Sequence, residues 1–403
     1  MQPSNRVPRL TESRQTSLVR FKLFWQGKRN HWDFKGQGEL PFLICQNAIE
    51  NLLNAKGGAA FLCPSLSKAL GFDINHTQVT KDIAIEKIQE GLDSGIFKVT
   101  AEVNYQGEKR PVSFCLVVSR GHYKNELHKQ IPKHLAHLRK QQPDYVVRPF
   151  YSGTGYAPYQ RDRISLVMYS TEWLNNSIEI NMRNLTEATK VSGLEEIGLR
   201  GLVFNGEALP INKFIPDELA ERIAAEMVKI VTLFFNPETG EHIEKYGINA
   251  GDFVYQEQPN GTFNLKLITC RAIEKFPKER ISTELTIYHY IYSLLTNKEN
   301  SLCYPISLYP YPVVQKHSIY PFTPQNICQG IIKAFIAKLD PEKGLEEAIK
   351  WLAIYLGVSK FHHPDDLCHN KNLMLHLIMA QQQIEKSLAD LGIEVSIEIV
   401  EPA

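Results

Sequence analysis

Ile83-Ala84-Ile85-Glu86-Lys87-Ile88, the break Gly91-Leu92-Asp93-Ser94-Gly95 and the apolar stretch Val112-Ser113-Phe114-Cys115-Leu116-Val117-Val118 decide how this chain is read. Between the last two, residues 96–103 alternate apolar and polar, the period of a strand with one buried face. Asn104-Tyr105-Gln106-Gly107-Glu108 supplies the turn residues that separate the second run from the third. A basic stretch over 123–140 reads as a helix. Tyr145-Val146-Val147-Arg148-Pro149-Phe150 and Ile164-Ser165-Leu166-Val167-Met168-Tyr169 then supply two further strands. The order is three strands, one helix, two strands.

Outward from this core, residues 1–20 form a polar, basic tail carrying Arg6, Arg9, Arg14 and Arg20 against Glu12. Residues 21–80 form an N-terminal extension without an assigned role, with a strand over 19–25 and a helix near 43–54. Beyond residue 173 the pattern turns mainly helical. Pro216-Asp217-Glu218-Leu219 opens an amphipathic helix, with proline and two acids where the helix dipole favours them. Pro259-Asn260-Gly261 joins the two strands of a hairpin over 252–268. Further helices are expected near 283–296, 324–338, 343–356 and 371–390, with an irregular proline-rich loop over 303–322. The expected class is α+β: a small antiparallel sheet with one helix over 81–172, then a helical unit over 173–403.

Composition narrows the function classes. The chain has 403 residues, 43% of them hydrophobic, which is ample for a buried core and rules out wholesale disorder. Lys and Arg number 45 against 44 Asp and Glu, so no global field draws the molecule to nucleic acid or acidic lipid. No apolar run approaches the ~18–20 residues of a membrane-spanning helix. The polar opening Met1-Gln2-Pro3-Ser4-Asn5-Arg6 lacks the apolar core of a secretory signal, so a soluble, cytoplasmic protein is expected. The seven cysteines are scattered, with none at zinc-ribbon or redox-pair spacing, and read as buried free thiols.

Several local features, in order over about 81–271, resemble the two-lobed protein-kinase-like fold, which includes the aminoglycoside-phosphotransferase type. Gly91-Leu92-Asp93-Ser94-Gly95-Ile96-Phe97-Lys98-Val99 resembles the glycine-rich loop over the nucleotide phosphates. Ser113-Phe114-Cys115-Leu116-Val117-Val118 resembles the third strand, and Glu126 starts the helix on which the family carries an ion-pairing glutamate. Met168-Tyr169-Ser170 falls at the hinge. Lys245-Tyr246-Gly247-Ile248-Asn249-Ala250-Gly251-Asp252-Phe253-Val254 resembles the catalytic loop. Leu265-Lys266-Leu267-Ile268-Thr269-Cys270-Arg271 resembles the strand that enters the Asp-Phe-Gly motif.

The resemblance fails at the positions that carry chemistry. Val117 stands where the family has its phosphate-pairing lysine, Gly247 where it has the general-base aspartate, Asp252 at the metal-binding asparagine and Thr269 at the metal-binding aspartate. Phosphoryl transfer depends on positioning and on neutralising phosphate charge with metal and cations. The resemblance therefore implies a pseudokinase, regulatory or scaffolding in role and partnered by another protein. Gly91, Ser94, Gly95 and Glu126 would give it weak binding of ATP with magnesium. A shifted register gives the alternative of an active atypical phosphotransferase or nucleotidyltransferase, with Asp252 as base and Glu257 as a second metal ligand. Lys109, Arg110 and Arg120 are candidates for the missing lysine, or else solvated strand-end charges.

Three other groupings carry chemistry-bearing side chains. Phe361-His362-His363-Pro364-Asp365-Asp366-Leu367-Cys368-His369 is rich in metal-ligand types, though at no standard spacing, and also reads as a polar loop before a helix. The helix over 123–140 bears Lys124, Lys129, Lys133, Arg139, Lys140 and three histidines, a face for nucleic-acid phosphates or simply for water. Its Pro132 predicts a kink or break. Thr269-Cys270-Arg271 sets a thiol beside a cation, which can lower a cysteine pKa, but no partnering histidine can be assigned to it from sequence.

Overall fold

The two-residue turn Gln106-Gly107 fixes the central hairpin. Both residues have positive φ, 53° and 85°, as the tight hairpin turn that follows strand twist requires. Tyr105 thereby pairs with Glu108, and β3 (Ser94–Tyr105) and β4 (Glu108–Ser119) run in uninterrupted antiparallel register. This computed structural model describes residues 20–26, 40–90, 94–184, 200–205, 215–243, 250–276, 282–296 and 324–361. Those residues form two compact units: the chain up to Lys129 with Pro149–Trp173, and Gln130–Arg148 with the chain from Leu174 onward.

In the first unit β1 (Lys22–Gln26), β2 (Val79–Glu90), β3, β4, β5 (Pro149–Tyr159) and β6 (Asp162–Glu172) form one six-stranded sheet in the order β1-β2-β3-β4-β6-β5. β1 runs parallel to β2, and every other neighbouring pair is antiparallel. The expected order of three strands, a helix and two strands is present, with β6 rather than β5 beside β4. The β5 strand starts at Pro149, later than the expected 145–150, because residues 145–147 pair elsewhere in the second unit.

Residues 21–80, without a role in the sequence, are part of this unit. α1 (Phe42–Asn54) packs on β5 and β6, and α2 (Leu62–Leu70) on β4, β5 and β6. Together they cover one face of the sheet. Ile83 and Ile85 of β2, Phe97, Val99, Ala101 and Val103 of β3, and Val112, Phe114, Leu116 and Val118 of β4 point to that face and are buried. The parity changes from odd to even between β3 and β4 because the register pairs Phe97 with Leu116. Each fully buried Ile, Leu or Phe contributes roughly 1.5–3 kcal/mol. β5 admits α1 only because two of its residues are glycine. A Cβ on Gly155 would lie 2.1 Å from the Ala48 carbonyl oxygen, and one on Gly153 2.8 Å from the Leu52 side chain.

The second unit differs from the helical expectation: it contains sheet as well. β7 (Ser177–Asn184), β8 (Arg200–Asn205), β10 (Phe253–Glu257) and β11 (Phe263–Leu267) form a four-stranded sheet in the order β11-β10-β7-β8. β9 (Glu241–Ile243) and β12 (Ile273–Lys275) form a second, two-stranded one. The expected amphipathic helix is α4 (Asp217–Leu233), which buries Ile223, Met227, Ile230 and Val231. It packs on α6 (Pro324–Lys338), where Gly330 brings the helices together: a Cβ there would lie 2.6 Å from the Ala225 carbonyl. α5 (Thr283–Thr296) and α7 (Pro341–Phe361) complete the helical layer. Phe235 stacks on Tyr290 at 4.1 Å, and Trp351 meets Phe235 and Phe335 edge-on.

The passage between units falls inside α3 (Asn125–Gln141). This helix runs through Pro132 without a break. Proline removes one backbone donor, and burial of Ile131, Leu135 and Leu138 holds the helix despite it. None of the described helices is long and apolar enough to cross a membrane.

Candidate functional site

Asp252 is the expected site residue with the most distinctive surroundings. The turn Ala250–Asp252 leads into β10, and the Asp252 carbonyl accepts the Ile268 N–H at 2.8 Å, which locks the start of β10 against the end of β11. The side chain is almost wholly buried, and the Arg271 guanidinium donates to its Oδ2 at 2.5 Å. Arg271 itself is about a quarter exposed. Charge-assisted contacts of this kind are the strong ones, and a buried carboxylate requires a cation or donors to stay charged. The cation here is a residue of the chain itself, two positions beyond Thr269. Asp252, expected as base or metal ligand, is thus engaged by an internal guanidinium.

The Asp252–Glu257 combination is corrected by the same geometry. Glu257 closes β10, exposed and opposite Phe263. Five residues of extended chain at ~3.3 Å each separate the two carboxylates by about 16 Å. Ligands of one magnesium ion sit roughly 2.0–2.1 Å from it, so these two acids do not share a metal.

The remaining expected residues are dispersed. Ser94 and Gly95 open β3, paired with Ser119 and Val118, so the break before β3 is shorter than the sequence suggested. Gly91 lies outside the described residues, as do Gly247 and the rest of 244–249. Glu126 is exposed and pairs with Lys129 one helical turn on, at 2.5 Å. Val117 is buried in β4, and Thr269 lies just beyond β11, partly exposed.

Arg120 overturns its reading as a solvated strand-end charge. It is 2% exposed and pairs with Glu90 at 3.5 Å, while Lys87 meets the same carboxylate at 2.7 Å. These charges tie the end of β2 to the residue after β4. Burial pushes the neighbouring Cys45 thiol far above its ordinary range, against the pull of Arg120 and Lys87. Lys109 and Arg110 stay exposed, the latter on Glu108.

Sequence reasoning also passed over Asn125. Its side-chain oxygen accepts from Ser119 Oγ and from the Val167 N–H, both at 2.8 Å, and its amide donates to the Ser165 carbonyl at 2.9 Å. This pins the start of α3 to β4 and β6. A small amide at a helix start, after the turn His122–Lys124, is a modest signal at best.

Most of the basic face of α3 is committed within its own unit. His128 is buried beside Tyr169. His134 lies 3.2 Å from the Cys270 carbonyl, and His137 lies 2.6 Å from Glu241. Arg139 donates to the carbonyls of Pro143 and Val146. Lys133 reaches Gln130, and Lys124 lies over the Tyr123 ring. Lys140 is exposed.

The thiols are structural in setting. Cys270 is fully buried and donates to the Ala272 carbonyl at 3.5 Å. Burial pushes Cys115 and Cys328 each up to about 12. Among the described residues no group of three or more His, Cys, Asp or Glu could hold a metal ion. The stretch 362–369 and the helix expected near 371–390 lie outside the described residues, as do the tail 1–19 and the whole proline-rich loop over 303–322.

The described residues define a mixed α+β protein whose best-formed polar feature is an internally neutralised aspartate. Comparison with known proteins finds no matching family model and no curated relative.

Proposed function

We propose that this chain is a kinase-like protein that has lost phosphoryl transfer, a pseudokinase that regulates or scaffolds another protein. The single observation that carries this reading is the Asp252–Arg271 pair. Asp252 stands where the family resemblance puts a magnesium ligand, and its carboxylate is held by a guanidinium instead. A divalent ion there would have to displace a buried, charge-assisted contact, and Thr269 offers only a hydroxyl at the second ligand position. The chain order of three strands, a helix and two strands, on which the resemblance rests, is kept in β2 to β6 with α3 between β4 and β5. The buried Val117 at the lysine position agrees with loss of phosphate pairing.

Thermal unfolding with ATP, ADP and GTP, each with magnesium and with EDTA, tests the reading. The expected outcome is no magnesium-dependent shift with any nucleotide, together with no phosphate transfer from ATP to protein or small-molecule acceptors. A ligand at ~100 times its Kd adds about 2.7 kcal/mol, a readable shift. A magnesium-dependent shift abolished by Asp252→Ala would overturn the proposal in favour of an active phosphotransferase.

A further inference from the structure

The outer edge of β11 opens into a cationic cleft, and we propose that it binds an extended acidic peptide of a partner protein by strand addition. The proposal does not depend on the kinase-like reading, since it uses residues of the second unit alone.

The hydrogen-bond phase of β11 decides which backbone groups point outward. Ile268 donates to the Asp252 carbonyl, and Gln258 donates to the Thr262 carbonyl, so the even-numbered residues of β11 exchange bonds with β10. Phe263, Leu265 and Leu267 therefore direct their N–H and C=O away from β10. At Leu267 this edge is already in use: its N–H donates to the Tyr145 carbonyl at 2.8 Å, and its carbonyl accepts from Val147 at 3.0 Å. Residues 145–147 are thus a short parallel strand laid on β11. The ladder stops there because the preceding chain turns back into α3, with the Tyr145 N–H bonded to the Gln142 carbonyl. Among the described residues no backbone group pairs with the outward edge of Leu265 or Phe263. An unfinished edge of this kind is a template for a further strand.

The cleft beside this edge, ≈ 600 Å³, supplies the charge preference. Arg222, Lys229, Lys266 and Lys333 line it against two acids, Asp144 and Glu226. Glu226 engages Lys229 at 2.6 Å, which leaves the balance of the cleft positive. Arg222 is exposed and lies over the Phe263 ring at 5.2 Å, and Lys333 is exposed on α6. Arg222 lies over Phe263 at one end of β11, and Lys229 lies over Tyr145, beside Leu267, at the other, so the α4 cations follow the strand edge rather than one point. That spacing suits carboxylates repeated along an extended chain better than a single phosphate.

The test uses full-length protein and a fluorescein-labelled peptide that alternates glutamate and valine, followed by fluorescence anisotropy. The peptide is expected to bind at low salt and to weaken as salt rises. Arg222→Glu combined with Lys333→Glu is expected to weaken it roughly ten-fold or more, with the melting temperature checked against the parent. The same peptide N-methylated at alternate residues keeps its charge but cannot complete the ladder, and it is expected to lose binding to a similar extent. Equal binding of the methylated and unmethylated peptides would overturn strand addition. Failure of the peptide to bind at low salt, or its complete displacement by equimolar tripolyphosphate, would overturn the assignment of an acidic peptide to this cleft.

Discussion

Replacing Arg271 with alanine leaves the Asp252 carboxylate buried at 3% side-chain exposure with its guanidinium gone. Removing one member of a buried ion pair costs about 3–5 kcal/mol, because the surviving charge stays desolvated after its counter-ion is lost. Arg271 is about a quarter exposed, so water reaches part of the site and the low end, about 3 kcal/mol, is the expected loss. For a unit of this size that corresponds to a fall in Tm of roughly 6–12 °C. The assay is urea unfolding of the parent, Arg271→Ala, Asp252→Asn and the double variant, monitored by tryptophan fluorescence. Asp252→Asn combined with Arg271→Ala should be less destabilised than Arg271→Ala alone, since the buried charge that lost its counter-ion is itself removed. A loss below about 1 kcal/mol for Arg271→Ala would be the behaviour of an exposed pair. It would refute the view that Arg271 is the structural counter-ion of Asp252.

Gly155→Ala should destabilise the first unit by about 3 kcal/mol, as its Cβ meets the Ala48 backbone, which cannot swing aside, as well as the Met168 side chain. Gly71→Ala, with φ 83° but open space around it, should cost about 1 kcal/mol, and denaturant midpoints separate the two. His242 stacks on Phe276, and burial holds its pKa below the usual histidine value although Nδ1 lies 2.9 Å from the Gly240 carbonyl. A histidine kept neutral in the folded state binds fewer protons than in the unfolded chain. Stability is therefore full above roughly pH 6.5 and falls as pH drops below it. His242→Gln should flatten the Tm profile between roughly pH 5 and 7, and an unchanged slope would exclude His242 as its source.

The parts of the fold legible in sequence were those with a clean local period. The alternation of 96–103 and the turn at Gln106-Gly107 specify β3, β4 and their register without outside help. β7 carries the same kind of signal in Ser177-Ile178-Glu179-Ile180-Asn181, obscured by the helical patterning around it. α2 was hidden because Leu62-Cys63-Pro64-Ser65 carries a proline and no acidic first turn, and its stability comes from the sheet it covers. At the candidate site, Asp252 stood out through its place in the kinase-like resemblance. Its partner did not: the link between positions 252 and 271 is made by the β10–β11 hairpin, which sets its two ends side by side. Arg120 and Asn125 eluded sequence reading for a related reason. A charged residue just past a strand, or an amide at a helix start, ordinarily faces water, and only the elements packed around it decide otherwise.

The cover formed by α1 and α2 has a consequence for synthesis. α1 rests on β5 and β6, about 100 residues further along the chain, so most of its buried face lacks its native partner when it leaves the ribosome. At ~5–20 residues per second the wait is roughly 5–20 s. For that interval Phe42, Ile49, Leu52 and Leu53 belong to a nascent chain with its sheet unmade. The segment that finally seals the first unit is thus also the one most exposed to holdase chaperones and to misassembly while the unit is being built.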